Sequence, residues 1–142
     1  MTSWAIVDYF LRPKPAYFTI ARELRPYTVG MTRKTIKTPL SSTSALYASI
    51  ETHIEMWGTN STLEPAQATL EIRSFDIEND GKLIDTQKLN VTLAPNSSTE
   101  LWKGVLPGEG KRTRDSDPHN VIVVQARLLS ADGKILARYS NW

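Results

Sequence analysis

The sequence predicts a mainly β protein, an antiparallel sandwich of about seven strands behind one short N-terminal helix. Three observations carry this. Apolar residues before Pro26 recur at helical spacing, whereas after it they alternate with polar ones, the period of a half-buried strand. Turn-forming residues then interrupt the alternation at fairly regular intervals, among them Asn79-Asp80-Gly81, Ala94-Pro95-Asn96 and Asp132-Gly133. Cysteine is absent, which excludes disulfides and thiolate metal sites. The fold therefore depends on its core, and 40% hydrophobic residues in a 142-residue chain suffice for one.

Pro15 opens the helix, where its missing N–H leaves no bond unmade. Tyr17, Ile20, Ala21 and Leu24 lay one apolar stripe along it, and Pro26 stops it. Trp4 to Leu11 is apolar almost without a break, with Asp8 its only charge, and such a run requires burial on several sides. That is more apolar surface than one amphipathic helix on a β-domain needs.

The first strand is expected at about Tyr27–Lys37, with Tyr27, Val29 and Met31 on one face, and Thr38–Ser44 is a polar loop. The second, about Leu46–Trp57, points Ile50, Ile54 and Met56 one way and Glu51, His53, Glu55 and Trp57 the other. In the third, about Ala66–Ile77, the set Ala68, Leu70 and Ile72 slips phase to Phe75 and Ile77, which suggests a bulge or bend. Asn79-Asp80-Gly81 is a hairpin signal, because its turn needs residues that tolerate positive φ. Leu83–Leu93 returns, and Thr99–Leu106 follows, centred on Leu101 and Trp102. Pro107–Pro118 is a long polar loop without an apolar anchor. Val121–Leu129 is the most apolar strand and so an interior one, and Ile135–Ser140 closes the set. Seven short alternating strands fit an immunoglobulin-like sandwich.

The candidate chemistry is sparse. Glu51 and Glu55 share a strand face, but four residues at ~3.3 Å each put their Cα atoms roughly 13 Å apart. A retaining glycosidase holds its two carboxyls ~5–5.5 Å apart, so these two read as a solvated face. His53 is better explained as a surface partner of Glu51 or Glu55 than as a base. Asp115, Asp117 and His119 have an alternating spacing that suits a metal, yet Lys111, Arg112 and Arg114 beside them account for the run by charge alone. Trp57, Trp102 and Trp142 are candidates for a sugar-stacking platform, with packing the weightier reading. Asn60-Ser61-Thr62, Asn90-Val91-Thr92 and Asn96-Ser97-Ser98 match the N-glycosylation pattern. No Gly-rich phosphate loop follows a strand. The sequence thus proposes no catalytic, cofactor-binding or metal-ligating residue.

Partners are bounded by charge and hydropathy. The net charge of +2 is carried wholly by residues 1–26, where Arg12, Lys14, Arg22 and Arg25 face only Asp8 and Glu23. The balanced remainder has no electrostatic footprint for nucleic acid. No run approaches the ~20 apolar residues of a membrane helix, and no basic segment with an apolar run after it opens the chain. These patterns assign no compartment.

Ser3-Trp4-Ala5-Ile6-Val7-Asp8-Tyr9, followed by Arg12-Pro13-Lys14-Pro15-Ala16-Tyr17, resembles the end of the catalytic barrel in glycoside hydrolase family 2 β-mannosidases, the fungal ones above all. The resemblance extends over the whole chain, because in that family an immunoglobulin-like domain follows the last barrel helix. It implies that residues 1–26 are the end of a barrel and 27–142 the C-terminal sandwich. It places Trp4 with the barrel end, close to the sugar-contacting part. It also implies that the acid/base and the nucleophile lie upstream of Trp4, so neither is carried over to any residue here. The chain is expected to be a non-catalytic C-terminal piece of an enzyme that removes terminal non-reducing β-D-mannose with retention. Its partner would be the parent's catalytic barrel, and mannose-containing oligosaccharides would be met through that parent. The rival readings are a carbohydrate-binding module and a plain immunoglobulin-like interaction module.

Overall fold

The structure is a computed structural model and describes residues 5–42, 47–110, 112–114, 119 and 121–141. One helix, α1 (Pro15–Glu23), precedes β1 (Tyr27–Pro39), β2 (Ala48–Asn60), β3 (Ala66–Asp76), β4 (Lys82–Leu93), β5 (Ser97–Val105), β6 (Ile122–Leu129) and β7 (Ile135–Asn141). Two antiparallel sheets face each other, ordered β1-β2-β5 and β4-β3-β6-β7. This is an immunoglobulin-like sandwich with three strands against four. In antibody constant domains the fourth strand joins the first, second and fifth, whereas here it pairs with the third.

The core fills the space between the two inner faces. Val29, Met31, Ile54 and Met56 come from the three-stranded sheet, and Leu70, Ile72, Val124, Ala126 and Leu128 from the other. Strand β6 alternates strictly between buried and half-buried and lies inside its sheet, as its apolar content requires. Side chains of period two present one face inward, so each strand adds every second residue to the core.

The expected phase slip in β3 does not occur. Ser74 and Asp76 continue the inward set and are buried, while Phe75 faces outward under the Arg73 guanidinium, 4.8 Å from its ring centroid, and Ile77 is exposed. The bulge exists, but it sits on the partner strand. Ser74 pairs with Asp85 and Phe75 with Leu83, which leaves Ile84 as the extra residue in β4. Strand β3 pairs with β6 without interruption from Thr69↔Leu129 to Asp76↔Ile122, so it cannot rotate. The edge strand absorbs the irregularity instead. The Asn79-Asp80-Gly81 turn forms as expected, with φ of 52° at Asp80 and 66° at Gly81.

The described part of the long polar loop is anchored, and the anchor is polar. Leu106 N donates to Thr52 O at 2.7 Å, and Ile50 N donates to Arg112 O at 3.0 Å. The loop thereby covers the edge of β2 beyond His53↔Val105, where β5 stops pairing. The Glu109 carboxylate accepts from Thr52 N and from Thr52 Oγ1, both at 2.6 Å. Arg112 lies 3.6 Å from Glu109, and the two side chains are only 10% and 7% exposed.

Before β1 the described residues bury almost nothing. Residues 5–14 close into a tight loop around Asp8, whose Oδ1 accepts from Phe10 N and Arg12 N at 2.9 Å and whose Oδ2 accepts from Arg12 Nε at 2.7 Å. Leu11 takes a φ of 62° there. The loop leaves Tyr9, Phe10 and Leu11 on its tip, 93%, 71% and 84% exposed. Helix α1 has Pro at its start as predicted and ends at Glu23, just short of Pro26, and none of its residues is buried.

Two outcomes follow from these contacts. A chain beginning at Arg25 should keep a single cooperative thermal transition, because no described residue of the removed segment belongs to the core; loss of cooperativity would reject this. In the intact chain trypsin should cut after exposed Arg114 before it cuts after Arg112. Glu109→Gln should cost about 1–3 kcal/mol in urea unfolding, since it strips a buried anchor, and should bring cleavage after Arg112 forward.

Candidate functional site

The outward face of β2 holds the carboxylates that the alternation assigned to it. Glu51 Oε2 lies 3.2 Å from His53 Nε2, and Glu55 Oε1 lies 2.6 Å from Lys103 Nζ. The Lys103 hydrogen bond and charge hold Glu55 below the usual carboxylate range, and Glu55 in turn raises Lys103. A carboxylate kept ionised in this way does not serve as a general acid.

A second cluster lies across the four-stranded sheet. Glu71, whose side chain is 7% exposed, receives Arg127 Nε at 2.6 Å and a further bond from Arg127 Nη2, with Lys88 Nζ at 3.4 Å. Burial pushes the Glu71 carboxyl up, but the bonds and charges of Arg127 and Lys88 outweigh it, and the net direction is down. Cross-strand register makes this cluster, since Glu71 stands opposite both Lys88 and Arg127. Sequence spacing alone gives no sign of it.

The tryptophans do not form one platform. Trp102 stands opposite fully buried Met56 and packs against the core, whereas Trp57 lies on the solvent face and is 38% exposed. Trp4 and Trp142 lie outside the described residues, as do Asp115, Asp117 and Lys111 of the candidate metal run. His119 is exposed, and among the described residues no three His, Asp or Glu side chains gather as metal ligands. No described helix is long and apolar enough to cross a membrane.

The three Asn-x-Ser/Thr patterns separate by burial. Asn60 is 1% exposed; its Nδ2 donates to Glu64 O at 2.8 Å and Leu93 O at 3.3 Å, and its Oδ1 accepts from Thr62 N at 2.9 Å. It is a structural clamp between the end of β2 and the end of β4. Asn90 and Asn96 are exposed.

The described residues line several open recesses. One of about 550 Å³ is lined by Arg22, Gln125, Arg138, Tyr139 and Ser140, with no carboxylate among them. The conspicuous surface is instead the apolar one: Tyr9, Phe10 and Leu11 on the loop tip, with Phe18 at 61% exposure on α1 and Leu24 at 79% just past its end. Exposed apolar area of this kind marks an interaction surface.

Fold and surface together define an immunoglobulin-like module with an apolar N-terminal appendage. Residues 52–142 match the family of Mannosidase Ig/CBM-like domains, and the chain belongs to that family. It is 36% identical to β-mannosidase B of Thermothelomyces thermophilus over 143 residues, covering 100% of this chain and 16% of that protein. It is also 36% identical to β-mannosidase B of Aspergillus niger, over 99% of this chain and 16% of the relative. The chain therefore spans about one sixth of these relatives. Among solved structures, a calcium-binding mutant of Bacteroides uniformis β-glucuronidase 2 superposes with a TM-score of 0.56 at 15% identity, over 82% of this chain and 14% of that one. A β-glucuronidase from glycoside hydrolase family 2 gives a TM-score of 0.51 at 15% identity, over 81% and 12%. These likenesses show the same sandwich fold.

The Glu71 cluster sets a pH dependence. The ordinary glutamate value is 4.5 and the folded one is lower, so the folded state binds fewer protons than the unfolded state as pH falls. The stabilisation is complete above about pH 4.5 and disappears as pH drops through the folded value. Asp8, Glu55 and Asp132 shift the same way, but they are solvated and contribute little. Glu71→Gln should therefore cost about 1–3 kcal/mol at pH 7 and progressively less below pH 4.5. A difference that stays constant down to pH 3 would refute this.

Proposed function

We propose that this chain acts as the non-catalytic C-terminal domain of a β-mannosidase that removes terminal non-reducing β-D-mannose. Residues 1–26 then belong to the end of the catalytic barrel, and 27–142 form the accessory sandwich. The observation that carries this reading is the apolar surface of residues 9–24, which the sandwich does not cover. Exposed Phe18 on α1 and Leu24 at its C-cap suit a helix that packs against barrel neighbours. The names of the relatives support the activity assigned to the parent. The carboxylates support a non-catalytic role for the chain itself, since Lys103 holds Glu55, and Arg127 and Lys88 hold Glu71, below the usual carboxylate range rather than poised as acids.

On this reading the sandwich covers apolar barrel surface and stabilises the catalytic body. Interfaces between domains of one chain bury about 600–1,500 Å², and the appendage supplies an apolar centre for one.

The test compares the 142-residue chain with the full-length gene product. Phe18→Asp together with Leu24→Asp should leave the melting temperature of the isolated chain unchanged and lower that of the full-length enzyme by several degrees. The isolated chain should release no nitrophenol from a nitrophenyl β-mannoside. Turnover by the isolated chain, abolished by one Glu or Asp substitution within it, would overturn the proposal.

A further inference from the structure

We propose that the outer face of the β1-β2-β5 sheet carries a saccharide-stacking site centred on Trp57, which takes a β-linked hexopyranose unit. Trp57 stands opposite Gly30 on β1 and Glu100 on β5. A Cβ placed on Gly30 would fall 2.8 Å from Trp57 Cε2 and Cζ2 and 2.9 Å from Nε1. The indole therefore lies flat across the Gly30 backbone, and only glycine permits it. Covering an edge-strand glycine in this way accounts for one face of the ring. Trp57 is still 38% exposed, and with one face of the indole against Gly30 the opposite face is the one left for a ligand.

The rim around this shelf is polar. Glu100 flanks it in register, Glu55 and Lys103 form an ion pair at 2.6 Å on one side, and Thr59 and Ser98 pair on the other. Glu100 is the cross-strand partner of Trp57, a pairing that sets Cβ atoms about 4.5–5.5 Å apart, and Glu55 and Thr59 lie two residues to either side of Trp57 on the same face of β2. A protein partner would ask for a contiguous apolar patch of several hundred Å². One indole ringed by charges and hydroxyls offers too little of that. A pyranose matches both parts: its C–H face stacks on the indole while its equatorial hydroxyls reach carboxylate, ammonium and hydroxyl groups.

The geometry of the sugar sets an anomeric preference. A β-linked mannopyranose carries the hydrogens of C1, C3 and C5 on one face and its axial 2-hydroxyl on the other. An α-linkage puts an axial oxygen onto the stacking face and spoils the contact. The site requires no barrel, so its failure and that of the domain assignment are separable.

The experiment is a titration of the ¹⁵N-labelled 142-residue chain with β-1,4-mannohexaose and, separately, with an α-1,6-linked mannohexaose, read on the tryptophan Nε1–H signals. The Trp57 signal is identified by its loss in Trp57→Phe. The expected result is a saturating shift of that signal with a Kd of about 1 mM for the β-linked ligand, and at least tenfold weaker binding of the α-linked one. Trp57→Ala should abolish binding. Because uncovering Gly30 has structural consequences of its own, Glu100→Ala in an otherwise unchanged fold should weaken binding about threefold or more. No shift at ligand concentrations tenfold above the expected Kd would overturn the proposal. So would equal binding of both linkages, or binding that survives in Trp57→Ala.

Discussion

The two-residue period of β2 is the constraint on which this molecule depends. Ile50, Thr52, Ile54, Met56, Gly58 and Asn60 point inward from it and are all buried. Glu51, His53, Glu55 and Trp57 point outward and furnish the ion pairs and the aromatic shelf. Strand β2 is also the middle of its sheet, flanked by β1 along its whole length and by β5 over its second half. A register slip of one residue would exchange the two sets, placing three ionisable side chains in the core. Neither packing nor charge tolerates that, so the register is held from both faces.

The same strand is fastened at its ends by polar groups rather than apolar ones. Asn60 ties its C-terminal end to the corner after it and to β4, and Thr52 ties its free edge to Glu109. These bonds lie where the sheets lose their partners. Apolar packing supplies most of the free energy, at about 1.5–3 kcal/mol for a fully buried side chain such as Ile54. It is indifferent, however, to which backbone groups meet at a strand end. Buried hydrogen bonds are directional and costly to leave unmade, so they decide where the chain leaves the sheet.

What the sequence reveals and what it conceals divide along that line. Strand positions, inward faces and the glycine turns follow from period and turn chemistry, and the structure reproduces each to within a few residues. The helix start follows from Pro15. Five features are illegible. The bulge was read from β3 because Phe75 and Ile77 break its pattern, yet the extra residue is Ile84, since only an edge strand is free to deform. The Glu109 anchor was missed because a polar loop shows no periodicity. The Glu71–Arg127 bond was missed because it joins residues far apart in sequence, and register is a property of strand pairs. The Asn60 pattern reads identically whether the amide faces solvent or, as here, is fully engaged. The apolar run from Trp4 to Leu11 was legible as surplus hydrophobicity, but the loop that Asp8 organises within it was not.

That surplus separates the chain into two parts with different physical logic. From Tyr27 onward the described residues form alternating strands around an inner layer with fully buried large side chains. Before it, the Asp8 and Arg12 bonds give residues 5–14 a defined shape while Tyr9, Phe10 and Leu11 remain in water. Holding an apolar tip in a fixed form without burying it gives no stability to the sandwich. Such an arrangement makes sense when the ordered loop is presented to another surface, because the conformational entropy of the tip is already lost before contact is made. The sandwich is then the stable base, and the appendage is the part shaped by what it meets.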